Sequence, residues 1–212
     1  MTRLLDTTDT TAIAGLRPLD PVPLPFARDL AVRAFVLERE QGNILVYSSP
    51  GLVVREGVER QYLGHGHEAA VGRPAMVDAP LFVHEADRAL VEPVQRVRGT
   101  FSRRHTLDDD FEVIPIPGHT PGSTAYLWDT GEQRLLFTAD TIFLKEGEWH
   151  TAVLDSSDPA AYAESLELVR GLDFDVLVPW AAGRDEPPYA LTTAADTRRR
   201  IDALLERVGR WI

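Results

Sequence analysis

Three short segments constrain this chain more than the rest of it: Gly64-His65-Gly66-His67-Glu68-Ala69-Ala70, Ile116-Pro117-Gly118-His119-Thr120-Pro121-Gly122-Ser123 and Leu136-Phe137-Thr138-Ala139-Asp140. Together they carry three imidazoles and one carboxylate. A fold that brings them together closes four donors, His65, His67, His119 and Asp140, around one metal ion. The chain has no cysteine, which excludes disulfides and thiolate ligands alike and leaves nitrogen and oxygen as the only metal donors.

Each segment suggests how its donors are placed. On an extended segment His65 and His67, two residues apart, point to the same side of the strand. Gly64 and Gly66 flank them without bulk, which predicts a sharp backbone turn after Tyr62-Leu63. Alternation turns Glu68 away from both histidines, as an acid at the surface or behind the ligands. His119 lies between Pro117-Gly118 and Pro121-Gly122, residue types that narrow the backbone to one loop geometry. Asp140 emerges at the end of the apolar run Leu135-Leu136-Phe137. Because Ile142-Phe143-Leu144 continues like a strand, a ligand role suits Asp140 better than a helix cap.

The surrounding pattern is strands first and helices last. Residues 31–38 and 43–48, with Gln41-Gly42 between them, read as a hairpin. Residues 80–84 read as a strand followed by a helix-like segment, 85–90, and residues 111–116, 123–128 and 134–138 as three more strands. Asp158-Pro159 predicts a helix with Tyr162, Leu166, Leu168 and Val169 on a broadly apolar face, ending at Gly171. Residues 175–179 suit a short buried strand. Thr193-Ala194-Ala195-Asp196 resembles a capping box ahead of Ile201, Leu204, Leu205 and Val208.

Composition limits the partners. A chain of 212 residues suits one domain spanning residues 1–212, and its 44% hydrophobic and 26% charged content is ordinary for a globular protein. A net charge of −11 repels phosphate backbones, so nucleic acid is not expected as a partner. No apolar run is long enough to span a bilayer. Residues 1–6 turn polar too early for a secretory signal, which, with the acidic balance, favours a cytoplasmic location. A small-molecule substrate is expected; oligomeric state is not legible.

These motifs and their order resemble the metallo-β-lactamase superfamily over residues 31–179, most specifically at 116–123, then at the His65/His67 pair, then at Asp140. The resemblance implies an α/β fold, an αββα sandwich of two mixed β-sheets flanked by helices. It also implies a ligand set of His65, His67 and His119, with Asp140 as the carboxylate that bridges both ions in two-metal relatives. The chain departs from the family where the second ion would bind. Ala69 and Ala70 stand in place of an aspartate and a histidine, and Trp180-Ala181-Ala182-Gly183 in place of a Gly-His-Gly turn. Tyr47-Ser48-Ser49-Pro50-Gly51 lacks the acid often found before the glycine.

The expected cofactor is therefore one divalent ion. Three neutral imidazoles and a carboxylate suit zinc, and general affinity order favours zinc over ferrous iron. The expected function is hydrolysis of a small ester, thioester or amide at a single metal. The resemblance also covers persulfide dioxygenases, whose single iron corresponds to His65, His119 and Asp140 here. A non-catalytic metal-binding member is the third reading. Of the remaining histidines, His84 suits a helix start, His105 a charged surface beside Arg103 and Arg104, and His150 a loop near the site.

Overall fold

The computed structural model describes residues 12–211, so the reading of residues 1–6 lies outside the described residues. Two six-stranded mixed sheets form the centre of the fold. The first runs Leu16–Pro18, Phe35–Leu37, Ile44–Val46, Arg60–Tyr62, Leu81–His84, Val97–Phe101 in spatial order, with its last four strands parallel. The second runs His105–Leu107, Phe111–Pro115, Thr124–Asp129, Arg134–Ala139, Val176–Pro179, Ala190–Leu191, and only the Arg134–Ala139 and Val176–Pro179 pair is parallel. Strands buried on both faces read as near-continuous apolar runs, which is what 135–137 and 176–178 display.

The sandwich interior lies between these sheets. Phe35, Tyr47 and Phe137 meet edge to face with ring centroids 5.9 to 6.1 Å apart, an arrangement aromatic quadrupoles favour. On the outer face of the second sheet, Tyr162, Leu166 and Val169 pack with Ile201, Leu204 and Val208 around Ile114, Leu136 and Leu177. These apolar positions belong to helices α3 (Pro159–Arg170) and α4 (Ala194–Val208). The sequence marks both starts. The Asp158 carboxylate accepts from the Ala160 and Ala161 amides, and the Thr193 hydroxyl accepts from the Asp196 amide. Two short helices, α1 (His67–Ala70) and α2 (Arg88–Val91), lie against the first sheet's side, where Ala69 and Val91 join Leu63, Leu81, Val83 and Val97 in a separate apolar cluster. Helices thus flank paired sheets, as the αββα reading expects. Among the described residues no helix is long and apolar enough to cross a membrane.

A third, smaller sheet corrects the reading of residues 31–38 as one strand. Leu30–Val32 pairs with Ala181–Gly183, whereas Phe35–Leu37 pairs with Ile44–Val46 as the expected hairpin. The chain changes sheets at Arg33 and Ala34. There the Arg33 amide donates to the Trp180 carbonyl at 3.0 Å and its guanidinium donates to the Leu19 carbonyl at 3.2 Å. The segment expected to be helical at 85–90 begins as a single 3-10 turn, Glu85–Asp87, capped by the His84 ring accepting from the Ala86 amide, and continues into α2.

Tyr47 ties the interior to the end of the strand that carries the candidate carboxylate. Its buried hydroxyl donates to the Val178 carbonyl at 2.9 Å and accepts from the Ala139 amide at 2.8 Å. Both Tyr47 (φ 71°) and Ala139 (φ 49°) adopt the left-handed region that non-glycine residues avoid. The hydroxyl therefore holds a strained turn one residue before Asp140. Tyr47→Phe strands a buried amide and a buried carbonyl and should cost about 1–3 kcal/mol, read from the urea unfolding midpoint at unchanged slope. A midpoint equal to that of the parent protein would contradict this role.

Candidate metal centre

The three histidines arrive from separate places and meet. His65 follows the Arg60–Tyr62 strand through a tight bend, and His67 opens α1. The expected extended pair is thus corrected: helical turn geometry begins at His67, and the two imidazoles converge across a bend rather than by strand alternation. Gly64 and Gly66 are needed for space, because neither adopts positive φ. A Cβ on Gly64 would stand 2.5 Å from the Ala139 Cβ, and one on Gly66 would stand 2.8 Å from Leu90 Cδ2. His119 sits in its proline-glycine turn as expected. Gly118 there has φ 144° and backs directly onto α3, where a Cβ would lie 2.5 Å from the Tyr162 Cα.

One potential ligand nitrogen from each of His65, His67 and His119 lies within 4.8 Å of the others. The closest pair is His67 Nδ1 and His119 Nε2 at 3.1 Å. Outer contacts decide which nitrogens face inward. His65 Nδ1 is 3.2 Å from Glu68 Oε1, and His119 Nδ1 is 2.6 Å from the Ala152 carbonyl. Both Nδ1 atoms are placed to donate, which turns Nε2 of each ring toward the cluster. His65 Nε2 is buried with no hydrogen-bond partner, as is Asp140 Oδ1. Buried polar atoms are otherwise almost always satisfied, so these orphans fit a set of donors for a metal ion. Asp140 Oδ2 lies 3.5 Å from His65 Nε2 and 3.8 Å from His119 Nε2, close enough for electrostatic contact but too long for a formed hydrogen bond.

Proton affinities reflect the same field. Burial lowers the His65 pKa, but the Asp140 and Glu68 carboxylates outweigh it and raise the value to about 10. Burial and the positive charge at His65 lower His119 to about 4, and the same two causes lower His67. Burial pushes Asp140 upward, yet its contacts with His65 hold it below the ordinary carboxylate value. A pocket that stabilises one positive charge between two carboxylates, while keeping two imidazoles neutral, is matched to a cation.

Two acids that motif reading left aside hold this geometry. Glu68 is buried, and its carboxylate accepts from the amides of Ser48 (2.9 Å), Gly64 (2.7 Å) and His65 (3.1 Å) as well as meeting the His65 ring. Strand alternation would have turned it away; the onset of α1 brings it back under the loop. Asp87, also buried, accepts from the Gly66 amide at 2.7 Å, the Gly122 amide at 3.1 Å and the Thr120 hydroxyl at 3.0 Å. It bonds the loop of the histidine pair to the turn of His119. Their sequence signal was slight, an acid beside the pair and another after His84.

The other histidines stand apart from the cluster. His84 caps its 3-10 turn, His105 is exposed, and His150 stacks on Phe143 at 5.3 Å with Nε2 3.3 Å from the Lys145 carbonyl. Asp108 and Asp110 bind Arg39 across the sandwich edge.

A cavity of about 490 Å³ opens onto His67, His119 and Asp140. Its walls include Leu24, Phe26, Leu30, Phe143, Val153 and Leu154. Ala70, Val71 and Ala181 also line it, whereas Ala69 packs into the apolar cluster beneath. A wider surface groove of about 770 Å³, beside Arg17, Arg55 and Glu56, contains none of the donors.

Removing the acid behind His65 tests this arrangement. Glu68→Ala should weaken divalent-metal affinity roughly 10–100-fold, measured by competition with a chelator, with Glu68→Gln intermediate because it keeps one acceptor oxygen. Unchanged affinity in both variants would show that the Glu68 contacts do not position His65.

Comparisons with known proteins agree with the fold. The subclass B3 metallo-beta-lactamase BJP-1 of Bradyrhizobium japonicum superposes with TM-score 0.61 at 14% identity, covering 92% of each chain. The archaeal superfamily protein ST1585 from Sulfolobus tokodaii gives 0.59 at 13% identity, over 91% of this chain and 86% of that one. AidC, a dizinc quorum-quenching lactonase, gives 0.57 at 15% identity, over 77% of this chain and 76% of its own. At these identities the likeness is one of fold. A search of curated protein sequences finds no match. Residues 50–181, more than half of the chain, match the family model described as the metallo-beta-lactamase superfamily, and the chain belongs to that superfamily.

Proposed function

We propose that this protein is a hydrolase that holds one divalent ion on His65 Nε2, His67 Nδ1 and His119 Nε2, with Asp140 beside them, and cleaves a small ester, thioester or amide. The observation that carries this reading is the inward convergence of three imidazoles, two of them oriented by hydrogen bonds at Nδ1. Zinc suits such a set better than ferrous iron. One ion is proposed because Ala69, Ala70 and Ala181 offer only methyl groups where the resemblance expects further ligands. Fold neighbours that are named as a lactonase and as beta-lactamases support chemistry at an acyl carbon.

An ion held there supplies Lewis acidity, which polarises a carbonyl and acidifies water. The protein's own residues bind and orient. Glu68 and the Ala152 carbonyl hold His65 and His119 in the ligating tautomer. Asp140 borders the cavity and stays ionised beside the imidazoles. The surrounding walls are mostly apolar. In the balanced reaction water adds across the acyl bond, giving a carboxylic acid and an alcohol, thiol or amine.

The oxygenase reading would use His65, His119 and Asp140 as a facial triad for iron. It gives no role to His67, whose Nδ1 lies only 3.1 Å from His119 Nε2, so hydrolysis is preferred.

Elemental analysis of anaerobically purified variants tests the assignment. His65→Ala and His119→Ala should each lose stoichiometric metal, whereas His150→Ala should retain about one equivalent, with zinc as the expected ion. Equal loss in all three would overturn the ligand set, iron with dioxygen consumption would favour oxygenation, and full retention in all three would remove the metal centre altogether.

A further inference from the structure

The cavity over the candidate centre carries little charge. Among the described residues that line it, none is lysine or arginine, and the one formal charge is the negative charge of Asp140. The indole Nε1 of Trp180 is turned away and donates to the Ser48 carbonyl. Thr151 is the remaining uncharged polar side chain apart from the imidazoles themselves. The rest of the lining is aliphatic, aromatic or methyl.

Two large side chains at the rim are exposed without a packing reason. Phe26 is 74% exposed and Leu154 is 45% exposed, and they come from different loops, 24–29 and 151–158. Both loops wall the same cavity. Exposed apolar side chains that converge on a concave site mark binding surface. The volume of about 490 Å³ suits a small molecule rather than a macromolecular segment. Ala70, Val71 and Ala181 extend the apolar lining up to His67, His119 and Asp140, so the space beside the donors is hydrocarbon-lined too.

We infer that the cavity takes the uncharged hydrocarbon chain of an acyl substrate, laid between Phe26, Leu30, Phe143 and Leu154 with its acyl carbon toward His67 and His119, and that it rejects substrates bearing a carboxylate or phosphate on that chain. At the far end of the chain, away from the seated ion, an anionic group would leave water for apolar walls that offer no lysine or arginine to pair with it. The net charge of −11 opposes its approach as well. The inference rests on the hydrolase reading only for the direction in which the acyl end points.

Calorimetric titration of the metal-loaded protein with a homologous series of straight-chain amides, and with the same amides carrying a carboxylate at the far end, tests the pocket without requiring turnover. Affinity for the neutral series should rise roughly fourfold per added methylene until the cavity is filled, and each terminally charged partner should bind at least about tenfold more weakly. Leu154→Arg, placed at the exposed rim where it leaves the core intact, should recover much of the affinity for the charged series while weakening the neutral one. Affinity independent of chain length, or tighter binding of the charged amides by the parent protein, would overturn the inference. If chain-length dependence appears but no ester, thioester or amide of matching chain is cleaved, the pocket assignment stands and the hydrolase reading fails.

Discussion

Two buried carboxylates hold the candidate centre together, and the rest of its geometry depends on them. Asp87 accepts hydrogen bonds from the loop of the histidine pair and from the turn of His119, segments that follow strands of different sheets. Glu68 gathers three backbone amides and the His65 ring on one carboxylate. Bonds from backbone amides to a charged acceptor are shorter and stronger than neutral ones, and each is buried, so removing either acid leaves several donors unsatisfied at once. The imidazoles are thus aligned by a scaffold they do not themselves supply. Asp140 and Glu68 also place negative charge beside His65, which raises its pKa against the effect of burial and suits the site to a cation.

The supporting structure extends outward from these acids. Helix α3 presses its first turn against Gly118, and the Tyr162 hydroxyl donates to the Thr141 carbonyl while accepting from the Ala152 amide. One side chain thereby connects the segment after Asp140 with the loop whose carbonyl holds His119. On the opposite side Tyr47 and Trp180 fix the ends of the central strands, and the Trp180 ring meets His65 edge to face at 5.2 Å. The donors therefore sit where strand ends from both sheets, three loops and the start of two helices converge. Rigid elements set their positions, and loops set the cavity's walls.

How much of this a sequence discloses depends on the range of the interaction. The turn of His119 is legible because proline and glycine act on their own backbone, and the starts of α3 and α4 are legible because Asp158 and Thr193 bond to amides two or three residues away. The histidine pair is legible as a pair, but its conformation is not: a two-residue spacing fits a strand, while the observed bend and the start of α1 come from close packing of Gly64 on Ala139. For the same reason spacing leaves Glu68 open between the surface and a place behind the ligands, and the structure puts it behind His65. Asp87 binds partners 21 to 35 residues away in sequence, and no local pattern announces such contacts. Residues 31–38 read as one strand because propensity does not reveal that Arg33 is captured by Trp180, which sends the chain into a second sheet. The alanines at 69, 70 and 181 are alike in sequence; the structure separates them, with Ala70 and Ala181 in the cavity wall and Ala69 in the apolar core.

The central claim is that a single ion is seated on His65 Nε2, His67 Nδ1 and His119 Nε2. An anomalous-difference map from crystals of the metal-loaded protein, recorded on either side of the metal's absorption edge, tests it most directly. One peak enclosed by those three nitrogens is the predicted result. Two adjacent peaks, or a single peak seated away from the three imidazoles, would contradict it.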